Sequence, residues 1–230
     1  MSYLQDKAIF IADAHYPNHG KELISLLDDI KTAKIKTTQL ILMGDIFDLL
    51  FGYNDYIKKY SQNLIDLLNE LSQDIEIIYL EGNHDFCLKS IFANIKIIPR
   101  DLQPLIMQYQ NMRIALSHGD LYDVGFGYEL YCKWLRNKIT LTMLKPWQKS
   151  IIDGRMNKLA DKNICHDFTG FNSKVKNISK HYTDIDIIIE GHFHQAKQIG
   201  NYISLPSLVC QKQYGLFEDG KVVFKRYDIS

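Results

Sequence analysis

The feature that most constrains the fold of this chain is the alternation of short apolar runs with helical patterns near its start. Apolar runs occupy residues 8–12, 39–43 and 75–80, and they are typical of buried strands. Between them, residues 23–30 and 56–71 carry apolar side chains every three or four positions, which predicts two helices. This order predicts a parallel sheet with right-handed crossovers and helices on its faces.

Polar motifs follow these strands, and two later ones, at the point where each strand ends. The five motifs are Asp13-Ala14-His15, Gly44-Asp45, Glu81-Gly82-Asn83-His84-Asp85, Ser117-His118-Gly119-Asp120 and Gly191-His192-Phe193-His194. In open α/β sheets, ligands collect beyond the carboxyl ends of the strands. We therefore expect the five motifs to meet at one place in the fold.

These side chains have the chemistry of a centre for two divalent metal ions. Mn, Fe and Zn accept mixtures of imidazole nitrogen and carboxylate oxygen. Two such ions about 3.5–4 Å apart can clamp a phosphoryl group and activate a water molecule. We predict one site from Asp13, His15 and His194, a second from Asn83, His118 and His192, and Asp45 as the bridge between them.

His84 has a different predicted role from its neighbour Asn83. An imidazole with an unperturbed pKa of about 6.5 can donate a proton near neutral pH, so we predict that His84 is catalytic and faces the substrate. Asp48 lies three residues after Asp45 and is predicted to orient His84. Asp85 is predicted to hold the loop by accepting hydrogen bonds from backbone amides.

The second half of the chain has a more antiparallel pattern. Short strands are predicted at 95–98, 105–109, 113–117 and 185–189, followed by an antiparallel meander at 202–205, 208–213, 215–217 and 222–227. Residues 218–221 are predicted to form its last hairpin turn. Together with the parallel first half, this pattern predicts an α/β sandwich.

The spacing of the motifs reveals an insertion. Asp45 to Asn83 is 38 residues and Asn83 to His118 is 35, whereas His118 to His192 is 74. The surplus lies at about 126–165, where a helical pattern carries eight basic and three acidic residues, a net charge of +5. We predict a single domain over 1–230 in which this basic, apolar segment is a helical lid suited to a substrate with an apolar part and an anionic part. The alternative is an ordinary helical pair packed on the core with solvated lysines.

Composition bears on binding to nucleic acid, on the redox state of the cysteines and on membrane association. Formal net charge is zero, with 27 basic and 27 acidic residues, which argues against a surface for nucleic acid. The four cysteines form no C-x-x-C pair and are predicted to be reduced, as in a cytoplasmic protein. We expect no signal peptide and no membrane span, hence a protein that is soluble or rests on a membrane surface.

Taken together, D-x-H, G-D, G-N-H-D, S-H-G-D and G-H-x-H resemble the calcineurin-like metallophosphoesterase superfamily. The resemblance implies an α-β-β-α sandwich and a dinuclear metal centre built from the residues above. It also implies that His84 assists departure of the leaving group. All the ligand positions carry competent residues, which disfavours a non-catalytic scaffold.

Within the insertion, Gly127-Tyr128, Leu135-Arg136-Asn137 and Arg155-Met156 resemble the UDP-2,3-diacylglucosamine pyrophosphatase family of lipid A biosynthesis. That family splits a lipid-linked nucleotide into UMP and 2,3-diacylglucosamine 1-phosphate, typically with Mn, beneath a helical lid. The resemblance implies two divalent ions, Mn first and Fe or Zn as alternatives, and peripheral contact with the cytoplasmic face of the inner membrane through the lid.

Substrate-binding residues predicted on this basis are Tyr128, Trp134, Leu135, Arg136, Arg155 and Lys158. The well-known branch of that family has Arg where this chain has His84. The alternative function is that of another soluble metallophosphoesterase, acting on a nucleotide, a phosphodiester or a phosphoprotein.

Overall fold

Two mixed β-sheets stack face to face and carry helices on their outer sides in the computed structural model, which describes residues 2–122 and 124–228. The strands are β1 Ser2–Tyr3, β2 Ile9–Ile11, β3 Gln39–Leu42, β4 Leu50–Phe51, β5 Glu76–Leu80, β6 Asp85–Phe86, β7 Lys96–Ile98, β8 Leu105–Tyr109, β9 Met112–Ser117, β10 Ile187–Glu190, β11 Lys197–Ile199, β12 Tyr202–Ser204, β13 Gln213–Glu218 and β14 Lys221–Arg226. The helices are α1 Lys21–Lys31, α2 Asp55–Lys58, α3 Gln62–Leu71, α4 Phe126–Leu135, α5 Lys138–Met143, α6 Gln148–Ala160 and α7 Phe171–Ser179.

The first sheet has the strand order β14-β13-β2-β3-β5-β7, and the second has the order β1-β8-β9-β10-β12-β11. Strands β2, β3, β5 and β7 are parallel, and so are β9, β10 and β12. The carboxyl ends of both parallel sets are the points from which the polar motifs extend.

Alternating side chains on each strand explain the layers. On β3, Leu40 and Leu42 pack in a core with the buried faces of α1 and α3. Ile41 between them points the other way, into a core that it shares with Ile114 and Ile189 of the second sheet. A third cluster packs α7 on the outer face of that second sheet. The period of two along a strand thus produces the α-β-β-α sandwich that the sequence implied.

Three sequence-based predictions about the elements are wrong: one helix boundary, one strand and one strand pairing. The helix expected at 56–71 is two helices, Asp55–Lys58 and Gln62–Leu71, with a break at Lys59–Ser61. No strand forms at 208–213 before β13 begins at Gln213, because Ser207 and Gln211 form a turn around the backbone there. Strand β12 pairs in parallel with β10 in the second sheet, so it does not belong to the β13–β14 hairpin.

The segment at 126–165 is helical, as expected, and it is tied to the body of the protein at both ends. Arg100 donates to the backbone carbonyl of Asp120 and to Glu129 of α4. Asp153 of α6 accepts a hydrogen bond of 2.9 Å from Tyr56. Ile152 and Met156 also pack in the core beside α1 and α3. The segment therefore combines a packed inner face with a more exposed outer face, and its role as a lid remains a proposal.

The cysteines depart from the expectation of four free thiols. Cys165 and Cys210 form a disulfide, whereas Cys87 and Cys132 are free. The pair is 45 residues apart in sequence, so only the folded chain brings the two side chains together. Among the described residues, no helix is long and apolar enough to cross a bilayer.

Candidate metal centre

Loops from both sheets place the predicted ligands at one location. Asp13 and His15 follow β2, Asp45 follows β3, Asn83 follows β5, His118 follows β9, and His192 and His194 follow β10. Left-handed backbone conformations, with φ between +48° and +61°, occur at Asp13, His15, Asp45, His192 and His194. Non-glycine residues adopt this region rarely, and such conformations concentrate at functional sites.

The first group of potential ligands is Asp13, His15 and His194, whose ligating atoms all lie within 4.8 Å of one another. Oδ1 of Asp13 lies 3.2 Å from Nε2 of His194. This oxygen is buried, yet it accepts no hydrogen bond from any described residue. A buried carboxylate oxygen without a donor is costly unless a cation or another group meets it, so the group fits a divalent ion.

The second group is Asp45, His118 and His192, again within 4.8 Å of one another. The Nε2 atom of His118 lies 3.6 Å from Oδ2 of Asp45 and 3.2 Å from Oδ1 of Asn83. His118 donates through Nδ1 to the Met43 carbonyl at 2.8 Å, which leaves Nε2 available to a metal. The structure therefore brings the three residues predicted for this second site, Asn83, His118 and His192, together with Asp45, the predicted bridge.

Asp45 lies between the two groups and also belongs to a third, with His15 and His84. Burial acts to raise the pKa of Asp45, but the imidazoles of His118, His84 and His15 lower it well below its usual range. An ionised carboxylate between two sets of imidazoles is suited to bridging two cations. The backbone amide of His84 donates to Oδ1 of Asp45 at 2.8 Å, which fixes that carboxylate.

The imidazoles themselves respond to burial and to their neighbours. Burial lowers the pKa of His15 to about 3 and that of His192 to about 4. Burial also acts to lower the pKa of His118, but the carboxylates of Asp45, Asp120 and Asp13 raise it to about 9. Two of these rings are thus neutral bases at neutral pH, which is the form that binds a metal.

His84 is buried at the edge of this centre, and its predicted partner Asp48 contacts it through the backbone. Nδ1 of His84 lies 2.6 Å from the backbone carbonyl of Asp48, not from its carboxylate. That carboxylate accepts from the Asn18 amide at 2.8 Å and lies 3.4 Å from Nδ1 of His19 and 4.0 Å from Nδ1 of His15. The backbone carbonyl of Asp48 therefore contacts His84, whereas its carboxylate contacts the loop that carries His15, Asn18 and His19.

Asp85 has the backbone-holding role that the sequence predicted. Its carboxylate is fully buried and accepts from the amides of Asp45, Ile46, Phe47 and Gly82 and from the Tyr79 hydroxyl. These bonds lock the loop after β3 against the loop after β5. The bridge residue Asp45 thereby keeps a defined position.

Several buried polar residues that support the centre were missed by the sequence reasoning. Gln103 accepts from the His118 amide at 2.7 Å, and Ser207 donates to the Asp13 carbonyl at 2.8 Å. Glu190, two residues before His192, accepts from Ser117 at 2.7 Å and from Tyr182 and Tyr202 at 2.6 Å. These residues lie outside any metal-ligand pattern, so no local signal marks them.

A cavity of about 590 Å³ connects Asn83 and His84 with the helices at 126–165. Its lining includes Tyr128, Leu135, Arg136, Arg155 and Lys158, five of the six residues predicted to bind substrate. Trp134 does not line it and is 52% exposed. Trp134 lies outside this lining because one step along a helix turns its side chain about 100° away from that of Leu135, and its contact with substrate stays a prediction.

The arrangement can hold two cations beside a buried imidazole and open onto a cavity with cationic and apolar walls. Carboxylate, imidazole and amide ligands suit divalent first-row metals. Such a centre can support displacement at phosphorus.

Comparison with known proteins agrees with this chemistry. The model of the calcineurin-like phosphoesterase family matches residues 7–196. UDP-2,3-diacylglucosamine hydrolase from Photorhabdus laumondii is 28% identical over 156 residues, a match that covers 65% of each chain. The enzyme of the same name from Blochmanniella pennsylvanica is 26% identical over 225 residues, 90% of this chain and 89% of the relative. That from Haemophilus influenzae is 27% identical over 198 residues, 81% and 82% of the two chains.

Two solved structures align with this chain at lower identity. A dimetal phosphatase from Danio rerio aligns with a TM-score of 0.47 at 13% identity, covering 96% of this chain and 95% of that one. The phosphoesterase Yfce from E. coli aligns with a TM-score of 0.46 at 16% identity, covering 93% and 88%.

Proposed function

Since the chain belongs to the calcineurin-like phosphoesterase family, we propose that it hydrolyses the pyrophosphate of UDP-2,3-diacylglucosamine to UMP and 2,3-diacylglucosamine 1-phosphate. The three relatives named above are UDP-2,3-diacylglucosamine hydrolases, at 26–28% identity. The observation that carries the proposal is the cavity that runs from His84 into the helical segment. Cationic and apolar side chains line this same cavity, so one substrate could contact both kinds.

The two walls of the cavity suit the two halves of such a molecule. Arg155 and Lys158 of α6 supply positive charge for a pyrophosphate or nucleotide. Leu141, Leu144 and Ile151 supply apolar surface for acyl chains. A volume of about 590 Å³ is within the range of small-molecule sites.

Two divalent ions, Mn in our proposal with Fe or Zn as alternatives, would supply Lewis acidity to the phosphoryl group and lower the pKa of water when bound. Asp13, His15 and His194 would hold one ion and Asn83, His118 and His192 the other, with Asp45 between them. In hydrolysis, a water oxygen forms a bond to phosphorus while the bond from phosphorus to the leaving oxygen breaks.

In this proposal His84 protonates the leaving oxygen. Its Nδ1 faces the Asp48 carbonyl, which can only accept a hydrogen bond, so Nδ1 carries a proton. The ring lines the cavity, and in the proposed reaction Nε2 is the atom that donates a proton to the leaving oxygen. The Asp48 carbonyl holds the ring in that orientation.

We further propose that the outer face of the helical segment rests on a membrane. Phe126 is 85% exposed, Ile139 70%, Met143 68% and Trp147 63%. The exposed bases beside these apolar side chains are Lys133, Lys138, Lys145 and Lys149. Apolar side chains among lysines suit an anionic bilayer surface. Sedimentation with anionic vesicles should remove the protein from solution, and vesicles of neutral lipid should not.

The test of the reaction is turnover of UDP-2,3-diacylglucosamine in detergent micelles with Mn²⁺. We expect release of UMP. Arg155→Ala should lower kcat/KM for this substrate at least tenfold and change hydrolysis of a small phosphodiester, bis-p-nitrophenyl phosphate, less than threefold (about 1.4 kcal/mol is tenfold). Rapid cleavage of the small ester without release of UMP would contradict the lipid substrate and favour another metallophosphoesterase activity.

A further inference from the structure

The Cys165–Cys210 disulfide joins two segments on either side of a candidate metal ligand. Cys165 lies in the segment between α6 and α7, and Cys210 lies in the loop between β12 and β13. Cys165 is exposed and Cys210 is half-buried. A thiol reductant in solution can therefore reach the bond.

The ring of His194 contacts both of the segments that the disulfide joins. Nδ1 of His194 is 3.1 Å from the carbonyl of Ile164, the residue before Cys165, and 3.7 Å from Sγ of Cys210. Its Nε2 faces Oδ1 of Asp13 at 3.2 Å. A carbonyl can only accept, so this contact places the ring proton on Nδ1 and leaves Nε2 for a metal ion.

The segment that supplies the Ile164 carbonyl makes few other polar contacts with the loop that carries His194. Residues on both sides of buried Ile164 are exposed from Asp161 to Gly170. Its polar contacts with the loop that carries His194 run through Gln195 and are long, 3.5 Å to the His166 carbonyl and 3.4 Å from the Phe168 amide. The ring of Phe168 also packs 5.9 Å from that of Phe193. The covalent link lies next to Ile164 and therefore acts directly on the carbonyl that meets the ring of His194.

On the other side, the loop of Cys210 is well anchored to the centre. Gln211 donates to the His194 carbonyl at 2.7 Å, and Ser207 donates to the Asp13 carbonyl at 2.8 Å. The disulfide therefore joins a segment with few polar contacts to a loop that is hydrogen-bonded to the centre. The ring of His194 is directly between them.

We propose that this disulfide is a positioning element for His194, and that the affinity of the site formed by Asp13, His15 and His194 depends on its redox state. A dithiol reduces the bond to two cysteine thiols and is itself oxidised to a disulfide. The Ile164 carbonyl is then free to leave the ring. The inference rests on the metal centre proposed above and is independent of the lipid substrate.

The test is a calorimetric titration of the whole chain with Mn²⁺ in two redox states. Protein purified without reductant should show two reactive thiols under denaturing conditions, those of Cys87 and Cys132. Treatment with dithiothreitol and anaerobic desalting should raise that number to four. One of the two Mn²⁺ sites should then weaken by roughly 10- to 100-fold, the usual effect of losing a hydrogen bond to a ligating histidine, and the other should change less than threefold.

Serine variants separate this bond from general effects of reduction. Cys165→Ser, without reductant, should reproduce the weaker site, whereas Cys132→Ser should keep both affinities of the oxidised protein. If Cys165→Ser does not fold, the Mn²⁺ titration of the reduced native chain still measures the effect of breaking the disulfide. Four reactive thiols before reduction, or equal Mn²⁺ affinities in both states, would overturn the proposal. Absence of Mn²⁺ binding in both redox states would contradict the proposed metal centre itself.

Discussion

The imidazole of His84 donates to the backbone carbonyl of Asp48 across 2.6 Å. A backbone carbonyl holds its position whatever side chain residue 48 carries, so the orientation of His84 is built into the main chain. The Asp48 carboxylate is thereby left for the loop that carries His15 and His19. The two residues thus have separable roles, which the first two predictions address.

His84→Ala should lower kcat by about 10²- to 10⁴-fold, the usual contribution of a proton donor. Metal content should stay near two ions per chain, because the ligands of both groups remain. Turnover and elemental analysis on the same sample measure both quantities. His181→Ala is the control, since that exposed ring stacks on Tyr122 and not on a candidate ligand. Loss of metal from His84→Ala would instead identify His84 as a ligand.

Asp48→Asn should act on metal affinity more than on turnover. The amide keeps an acceptor for the Asn18 backbone but removes the negative charge near His15. We expect the Mn²⁺ concentration for half-maximal activity to rise roughly tenfold, with kcat at saturating Mn²⁺ reduced less than tenfold. Titration of activity with Mn²⁺ measures both. A fall in kcat as large as that of His84→Ala would show that the carboxylate itself acts on His84.

Gly82→Ala should damage the centre because the loop leaves no room for a side chain. A Cβ at this position would lie 2.3 Å from Oδ1 of Asp45 and 2.6 Å from its amide nitrogen. We expect a loss of about 1–3 kcal/mol in the free energy of unfolding and less bound Mn²⁺, measured by urea unfolding and elemental analysis.

Gly154→Ala is the matched control for this substitution. Gly154 lies inside α6, where an added Cβ meets nothing within 4 Å. The same chemical change should raise the free energy of unfolding by about 0.5–1 kcal/mol, since alanine favours a helix. Equal effects of the two variants would contradict the steric argument.

Cys87 should react slowly with alkylating agents. Burial, reinforced by Glu81, raises the pKa of its thiol to about 11. Thiolate is the reactive form, so between pH 7 and 10 the rate should increase about tenfold per pH unit. At pH 8 it should be about a hundredfold or more below that of glutathione. Peptide mass spectrometry after timed treatment with iodoacetamide measures the rate. Labelling of Cys87 as fast as glutathione would show an unsuppressed thiolate.

Much of the fold could be predicted from local sequence because burial imposes a period on it. Successive side chains of the run at 39–43 point into two different cores, because both faces of β3 are covered. A strand that is buried on both faces is apolar at nearly every position, which is the pattern seen in the sequence. Asp13, Asp45 and His118 could be assigned to one centre because each stands at the carboxyl end of a predicted strand. Parallel strands bring such ends together.

The misassigned elements are those that depend on distant partners. Strand β12 was expected beside the final hairpin, yet it pairs with β10 across the second sheet. Residues 208–213 are apolar enough for a strand, but Ser207 and Gln211 turn the backbone there. Neither the pairing nor the turn has a strong local signature, since each depends on what the rest of the chain places next to it.

By itself the sequence determined the alternation of strands and helices in the first half, which side chains gather at the candidate metal centre, and the family. The tertiary structure alone decided that Asp48 meets His84 through its carbonyl, that Trp134 faces outward and that Cys165 bonds to Cys210. The physical reason is the distance along the chain between the residues that interact. Residue type and periodicity report whether a position is buried, whereas the direction of a hydrogen bond or the closeness of two distant thiols depends on how loops pack after the whole chain has closed.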